Sequence, residues 1–175
     1  YLKQVEWLEA GNQIPRWHDR GVRHGFEGIG HELPPFGLHL KQIHSTIIQE
    51  VTEEGTQGIV GQGDALATRL PTHRIAVKTA DCVPILLFHH EMVMAIHAGW
   101  RGVRSQIVLK AKELLLTAGS HPRDLFVAIG PHIGAQTFEI EKDLGSEILA
   151  ADPTAAVLAL PHSDPRKMYI ALKNI

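Results

Sequence analysis

A chain of 175 residues, 44% hydrophobic and 21% charged, has the composition of an ordinary globular domain and enough length to bury a substantial core in one unit. Its 17 basic against 19 acidic side chains leave a net charge of −2 with neutral histidine, so no broad basic surface points to nucleic acid. No apolar run reaches membrane-spanning length, no signal peptide is legible, and the one cysteine, Cys82, leaves no intrachain disulfide, so a reducing cytoplasmic setting without membrane contact is expected.

The first forty residues are rich in Gly, Pro and His with weak periodicity, and a trimmed start is expected before Tyr1. Val22 to Phe26 reads as a short strand, and Pro34-Pro35 as an irregular connection. Leu38 to Val51 reads as a strand pair or one long strand, and the glycine-rich stretch from Glu53 to Gly63 as a turn. Order resumes at Asp64 to Thr68. Arg74–Lys78, Val83–Phe88 and Val93–His97 are short apolar or β-branched runs that predict strands. After Gly102, the spacing of Val103, Ile107, Ala111, Leu114 and Leu115 predicts a helix closed by Ala118-Gly119. Leu125 to Ile129 reads as a buried strand stopped by Gly130-Pro131. Glu141 to Ala151 predicts a second helix, weakened by Gly145 and ended at Asp152-Pro153. Ala155–Leu160 and Met168–Leu172 read as further strands. Strands and helices mixed in one chain, without internal repeats or linkers, predict an α/β or α+β single domain over residues 1–175.

Twelve histidines are more than any single site uses, so most are expected on the surface, His89 and His90 among them in a solvated hairpin turn. Cys82 and His97 lie fifteen positions apart at the ends of two strands with a short connection. Antiparallel pairing about that connection brings them face to face. His44, in Lys41-Gln42-Ile43-His44-Ser45, is the candidate third ligand for an open zinc site of three protein ligands. Without a metal, Cys82 reads as a small buried hydrophobe and His97 as a satisfied core histidine. Arg101 and Gly102, just ahead of the expected helix, form a candidate anion site of guanidinium and free backbone N–H groups. His132, in the turn Gly130-Pro131-His132-Ile133-Gly134, reads either as a structural loop residue or as a site-lining one. Asp64, beside Gly63, reads as a turn cap and as a candidate substrate contact.

The segments Gly21–Phe26, Lys41–His44, Gly63–Thr68, Thr79-Ala-Asp-Cys-Val-Pro-Ile85, His97-Ala-Gly-Trp-Arg-Gly102 and Ala128–Gly134, in this order, resemble the YfiH family, long catalogued as multicopper polyphenol oxidase or laccase-like proteins. The resemblance implies a mixed β-sheet sandwich flanked by helices, like that of the cytotoxic necrotizing factor deamidases. It implies a purine nucleoside phosphorylase acting on adenosine, inosine, guanosine and S-methyl-5′-thioadenosine with orthophosphate, and an adenosine deaminase. It implies a zinc ion, with copper as the other candidate, held by His44, Cys82 and His97. Three departures stand out: His132 replaces the family's usual cysteine, Phe138-Glu139-Ile140 replaces Tyr-Glu-Val, and Glu27-Gly28-Ile29-Gly30 replaces a threonine–arginine pair. The family also continues beyond Leu172-Lys173-Asn174, so a further C-terminal segment is expected.

On this reading Arg101 and Gly102 hold phosphate, with Asp64 and His132 lining the substrate, and Asp81 or Asp64 acts as acid. Two other readings remain open. One is a metal-independent hydrolase or deamidase with Cys82 as nucleophile and His97 as base. The other is a copper-dependent polyphenol oxidase. No His-x-His pair of the kind used in trinuclear copper clusters occurs among the twelve histidines. A non-enzymatic metal-binding protein is a further alternative, and oligomeric state is not legible.

Overall fold

The computed structural model describes residues 17, 20–26, 37–90, 92–117, 119, 121–151 and 159–172. In chain order the elements are β1 (Gly37–Lys41), β2 (Ile48–Val51), β3 (Gly58–Gln62), β4 (Ala65–Thr68), β5 (Arg74–Ile75), β6 (Val83–His89), β7 (Met92–Ala98), α1 (Trp100–Arg104), α2 (Ile107–Thr117), β8 (Phe126–Ile129), β9 (Glu139–Glu141), α3 (Lys142–Ala151), β10 (Ala159–Pro161) and β11 (Lys167–Ile170). The class is mixed α and β, with three sheets. Pro34-Pro35, the helix stop at Asp152-Pro153 and the first part of the strand expected at 155–160 lie outside the described residues.

A five-stranded sheet in the order β2-β4-β7-β6-β8 forms the centre, antiparallel except where β2 runs parallel to β4. Its central strands β4 and β6 are buried along their whole length, as expected where both faces are covered. Side-chain alternation divides their residues between two cores. Ile85, Leu87, Met94 and Ile96 meet Val103, Ile107, Ala111 and Leu115 of the helices on one face. Leu86, Phe88 and Ala95 meet Leu38, Leu40 and Ile75 of the parallel sheet β3-β1-β5 on the other. A third, antiparallel sheet, β10-β11-β9, packs Ile140 and Ile170 against Ile148 of α3.

Several elements differ from the sequence-based expectation, each for a local reason. Leu38–Val51 is two strands in different sheets, because the backbone N–H groups of residues 43–45 turn inward to Asp64. The glycine-rich stretch contains β3, since Gly58 and Gly61 take positive φ and still allow pairing with β1. Arg74–Lys78 shortens to two residues of strand, and Val22–Phe26 is irregular. The helix expected after Gly102 is two helices, broken at Ser105 and Gln106, the latter with φ 62°. Arg101 and Gly102 therefore sit inside the five-residue α1, and the long helix begins at Ile107. β8 is an edge strand, so its Val127 and Ile129 are half exposed rather than buried. His89 is 3% exposed, not solvated, whereas His90 is exposed.

Candidate metal centre

The β6–β7 hairpin builds the first half of the site. Its register pairs Pro84 with His97 and Val83 with Ala98, so Cys82, just before β6, arrives beside the end of β7. His44 comes from the loop after β1. Gln42 fastens that loop to the segment leading to Cys82 through two reciprocal bonds: its amide donates to Lys78 O at 2.7 Å, and Lys78 N donates to its Oε1 at 2.8 Å. Lys110 of α2 donates to Thr46 Oγ1 at 2.7 Å and holds the other side of the loop.

One ligand atom from each of His44, Cys82 and His97 lies within 4.8 Å of the other two, and His44 Nε2 is 4.0 Å from Cys82 Sγ. Cys82 is partly buried, His97 is buried and His44 is exposed, so the cluster opens to solvent on the His44 side. Gly99 closes the floor. A Cβ there would stand 2.8 Å from His44 Cδ2 and 3.1 Å from Cys82 Sγ, closer than side chains pack, so only glycine leaves room for the two donors.

Asp64 organises this arrangement from below. It is wholly buried and accepts five hydrogen bonds. Oδ1 takes His97 Nδ1 at 2.8 Å and His44 N at 3.0 Å, and Oδ2 takes Ser45 N at 2.6 Å, Ser45 Oγ at 2.7 Å and Ile43 N at 3.3 Å. An ionised carboxylate only accepts, so His97 carries its proton on Nδ1 and leaves the Nε2 lone pair for a ligand. The same carboxylate holds His44 in the left-handed region, with φ 57°. Burial alone would raise the Asp64 carboxyl, but the bonds from His97, Ser45 and His44 outweigh it and keep it below the ordinary carboxylate range. Burial pushes His97 below the usual histidine value despite Asp64, which favours a neutral ring. Burial, with the charges of Asp81 and Asp64, pushes the Cys82 thiol up.

The donor set fits a transition-metal ion. Two imidazoles and one thiol, with a carboxylate behind one imidazole and an opening to solvent, match the three-ligand pattern of catalytic zinc sites. A cation there also offsets the two carboxylates that raise the thiol.

The remaining sequence candidates are placed as follows. Asp81 is exposed next to Cys82. Arg101 is exposed, its guanidinium 4.4 Å above the Trp100 ring. Gly102 is buried, facing Ile107 and the Ser45 carbonyl. Asp64 is sealed from solvent, so it positions His97 and His44 and does not reach a substrate. His132 is half-buried in a loop anchored by Ile133 N to Asp81 O at 3.0 Å and by Gly130 N to Pro84 O at 2.9 Å. Gln42 and Ser45 escaped the sequence reading. Both flank His44 in the motif that drew attention to it, which was the available signal. A second donor cluster, His89, His90 and Asp124, lies at the opposite end of the hairpin.

A family model described as multi-copper polyphenol oxidoreductase laccase matches residues 28–175. A purine nucleoside phosphorylase of Deinococcus radiodurans is 32% identical over 114 residues, 64% of this chain and 44% of that protein. The purine nucleoside phosphorylase YfiH of Escherichia coli is 29% identical over 134 residues, 75% of this chain and 53% of that protein. The chain thus spans about half the length of the curated relatives it matches. Among solved structures, YlmD of Geobacillus stearothermophilus superposes with a TM-score of 0.70 at 29% identity, over 79% of this chain and 55% of that one. The protein NMB0706 of Neisseria meningitidis does so with a TM-score of 0.66 at 28% identity, over 79% and 56%.

Proposed function

The chain belongs to the family described as multi-copper polyphenol oxidoreductase laccase, which includes the YfiH proteins, and from that membership we propose a metal-dependent purine nucleoside phosphorylase. The observation that carries the reading is the His44–Cys82–His97 cluster with Asp64 behind it, in a chain whose relatives bear that enzyme's name. The substrates proposed are adenosine, inosine, guanosine and S-methyl-5′-thioadenosine with orthophosphate, and adenosine with water in a second, deaminating reaction.

His44, Cys82 and His97 are the residues that would hold zinc or copper. When bound, the ion supplies Lewis acidity beside the purine or the phosphate. Arg101 presents an exposed guanidinium to orthophosphate. In phosphorolysis a phosphate oxygen forms a bond to C1′ as the C1′–N9 bond breaks, releasing the free base and the sugar 1-phosphate, which is ribose 1-phosphate from adenosine, inosine and guanosine and 5-methylthioribose 1-phosphate from S-methyl-5′-thioadenosine. Asp81, the exposed carboxylate beside Cys82, relays a proton to the departing purine. In deamination water replaces the 6-amino group, and Asp81 relays protons to ring N1 and to the leaving ammonia. His132 lines the substrate on the loop tied to Asp81.

One observation favours a second reading. Cys82, His97 and Asp64 also form a thiol–imidazole–carboxylate series of the kind cysteine hydrolases use. Against it, the raised Cys82 thiol is a poor source of thiolate.

The test is mass-spectrometric product analysis of adenosine incubated with zinc-loaded protein, with and without phosphate. Phosphate-dependent adenine and ribose 1-phosphate are expected, with inosine as the deamination product. Adenosine surviving as it does with His44→Ala overturns the nucleoside reading. Activity that persists without metal and dies on thiol alkylation moves the hydrolase forward.

A further inference from the structure

At the end of the β6–β7 hairpin remote from the metal cluster, the surface forms an open cleft of ≈ 750 Å³. Val83 and Phe88 are five residues apart on β6, so about 17 Å of strand separates the two regions. Four arginines line the cleft: Arg20, Arg23, Arg69 and Arg74. Among the described residues no aspartate or glutamate does, in a chain whose net charge is −2. Glu54 reaches this wall, accepting from Thr72 Oγ1 at 2.8 Å, so among the described residues the arginines outnumber the carboxylates at the cleft.

The four are not equally engaged. Arg69 pairs with Glu50 at 3.4 Å, and Arg20 lies over the Phe126 ring at 4.7 Å. Among the described residues, Arg23 and Arg74 make neither an ion pair nor a side-chain hydrogen bond. Like charges gathered around a hollow repel one another, and low-dielectric walls focus their field into it. That repulsion is relieved by a bound anion. Guanidinium forks suit phosphate oxygens, which they grip two at a time.

The rest of the wall gives the ligand a body. Val22, Leu70, Phe88 and Val93 contribute apolar surface beside the arginines. The volume falls in the range that small-molecule sites occupy and exceeds what an inorganic anion fills. We propose that this cleft binds a small organic diphosphate, its diphosphate held by Arg23 and Arg74 and its body resting against Val22, Phe88 and Val93. The site is separate from the proposed nucleoside chemistry and does not depend on it.

Isothermal titration calorimetry tests the assignment with two probes, uridine 5′-diphosphate and inorganic pyrophosphate, at low and at physiological ionic strength. A pyrimidine nucleotide keeps the readout away from the proposed purine site. Uridine 5′-diphosphate is expected to bind more tightly than pyrophosphate, with affinity falling as salt rises. The double variant Arg23→Ala/Arg74→Ala is expected to weaken both probes about tenfold or more, since charge-assisted bonds are lost. Both arginines are exposed, and an unchanged circular dichroism spectrum establishes that the variant folds. His44→Ala is expected to leave both affinities unchanged. No binding of either probe, wild-type affinity in the arginine variant, or loss in His44→Ala overturns the site. Equal affinity for the two probes overturns the organic body.

Discussion

Asp64 joins three separate stretches of chain through one side chain: the loop of residues 43–45, the start of β4 and the end of β7. Replacing it by Asn puts an amide where N–H groups already converge. Asp64→Asn is expected to lower zinc affinity about 10–100-fold, measured by chelator competition, because the partner that orients a ligating imidazole is lost. Gly99→Ala is expected to abolish zinc binding while the circular dichroism spectrum stays native, since the new methyl fills the space between His44 and Cys82. Zinc binding retained at wild-type strength in Gly99→Ala would remove Gly99 from the site. At this scale the three donors were legible by residue type, because few side chains offer a soft or borderline ligand. The task of Asp64 was not, since an aspartate after glycine reads as a turn cap and its partners lie as far as 33 residues away.

The elements show the same division. β6 and β7 were legible as apolar runs, because a strand covered on both faces leaves no polar alternation. Gly145 read as a weakness of α3, yet it is where Met168 of β11 lies against the helix. Gly145→Ala is expected to destabilise the protein by about 1–3 kcal/mol through overpacking, whatever it adds in helix propensity, as read from urea unfolding. Beside it, Glu139 of β9 is held below its ordinary value by Lys167, whose ammonium bonds it, and by His162 at 2.8 Å. A depressed carboxylate stabilises the fold above its unfolded value of 4.5 and loses that contribution as pH falls through the folded one. Glu139→Gln is therefore expected to flatten the acid limb of stability below that value, and added salt to shrink the difference, because the pair is exposed.

Across the whole molecule, the central sheet separates a donor cluster where β7 ends from an arginine-lined cleft where the hairpin turns. An ion held by His44, Cys82 and His97 ties together chain segments that unfolding separates. At a hundredfold excess over its dissociation constant, zinc is expected to add about 2.7 kcal/mol, a rise of about 5–10 °C in Tm. Differential scanning calorimetry checks this, with no such rise expected in His97→Ala. The sequence alone determined the mixed class, most of the strands and helices, and which side chains offer donor atoms of the kind metals take, because apolar periodicity and side-chain type are local properties. Only the tertiary structure decided that β1 and β2 part into different sheets, that α1 is a helix of its own, that Asp64 works beneath the donors, and that four arginines share one hollow. Those outcomes depend on which distant segments meet once the two cores close, and no local pattern encodes that meeting.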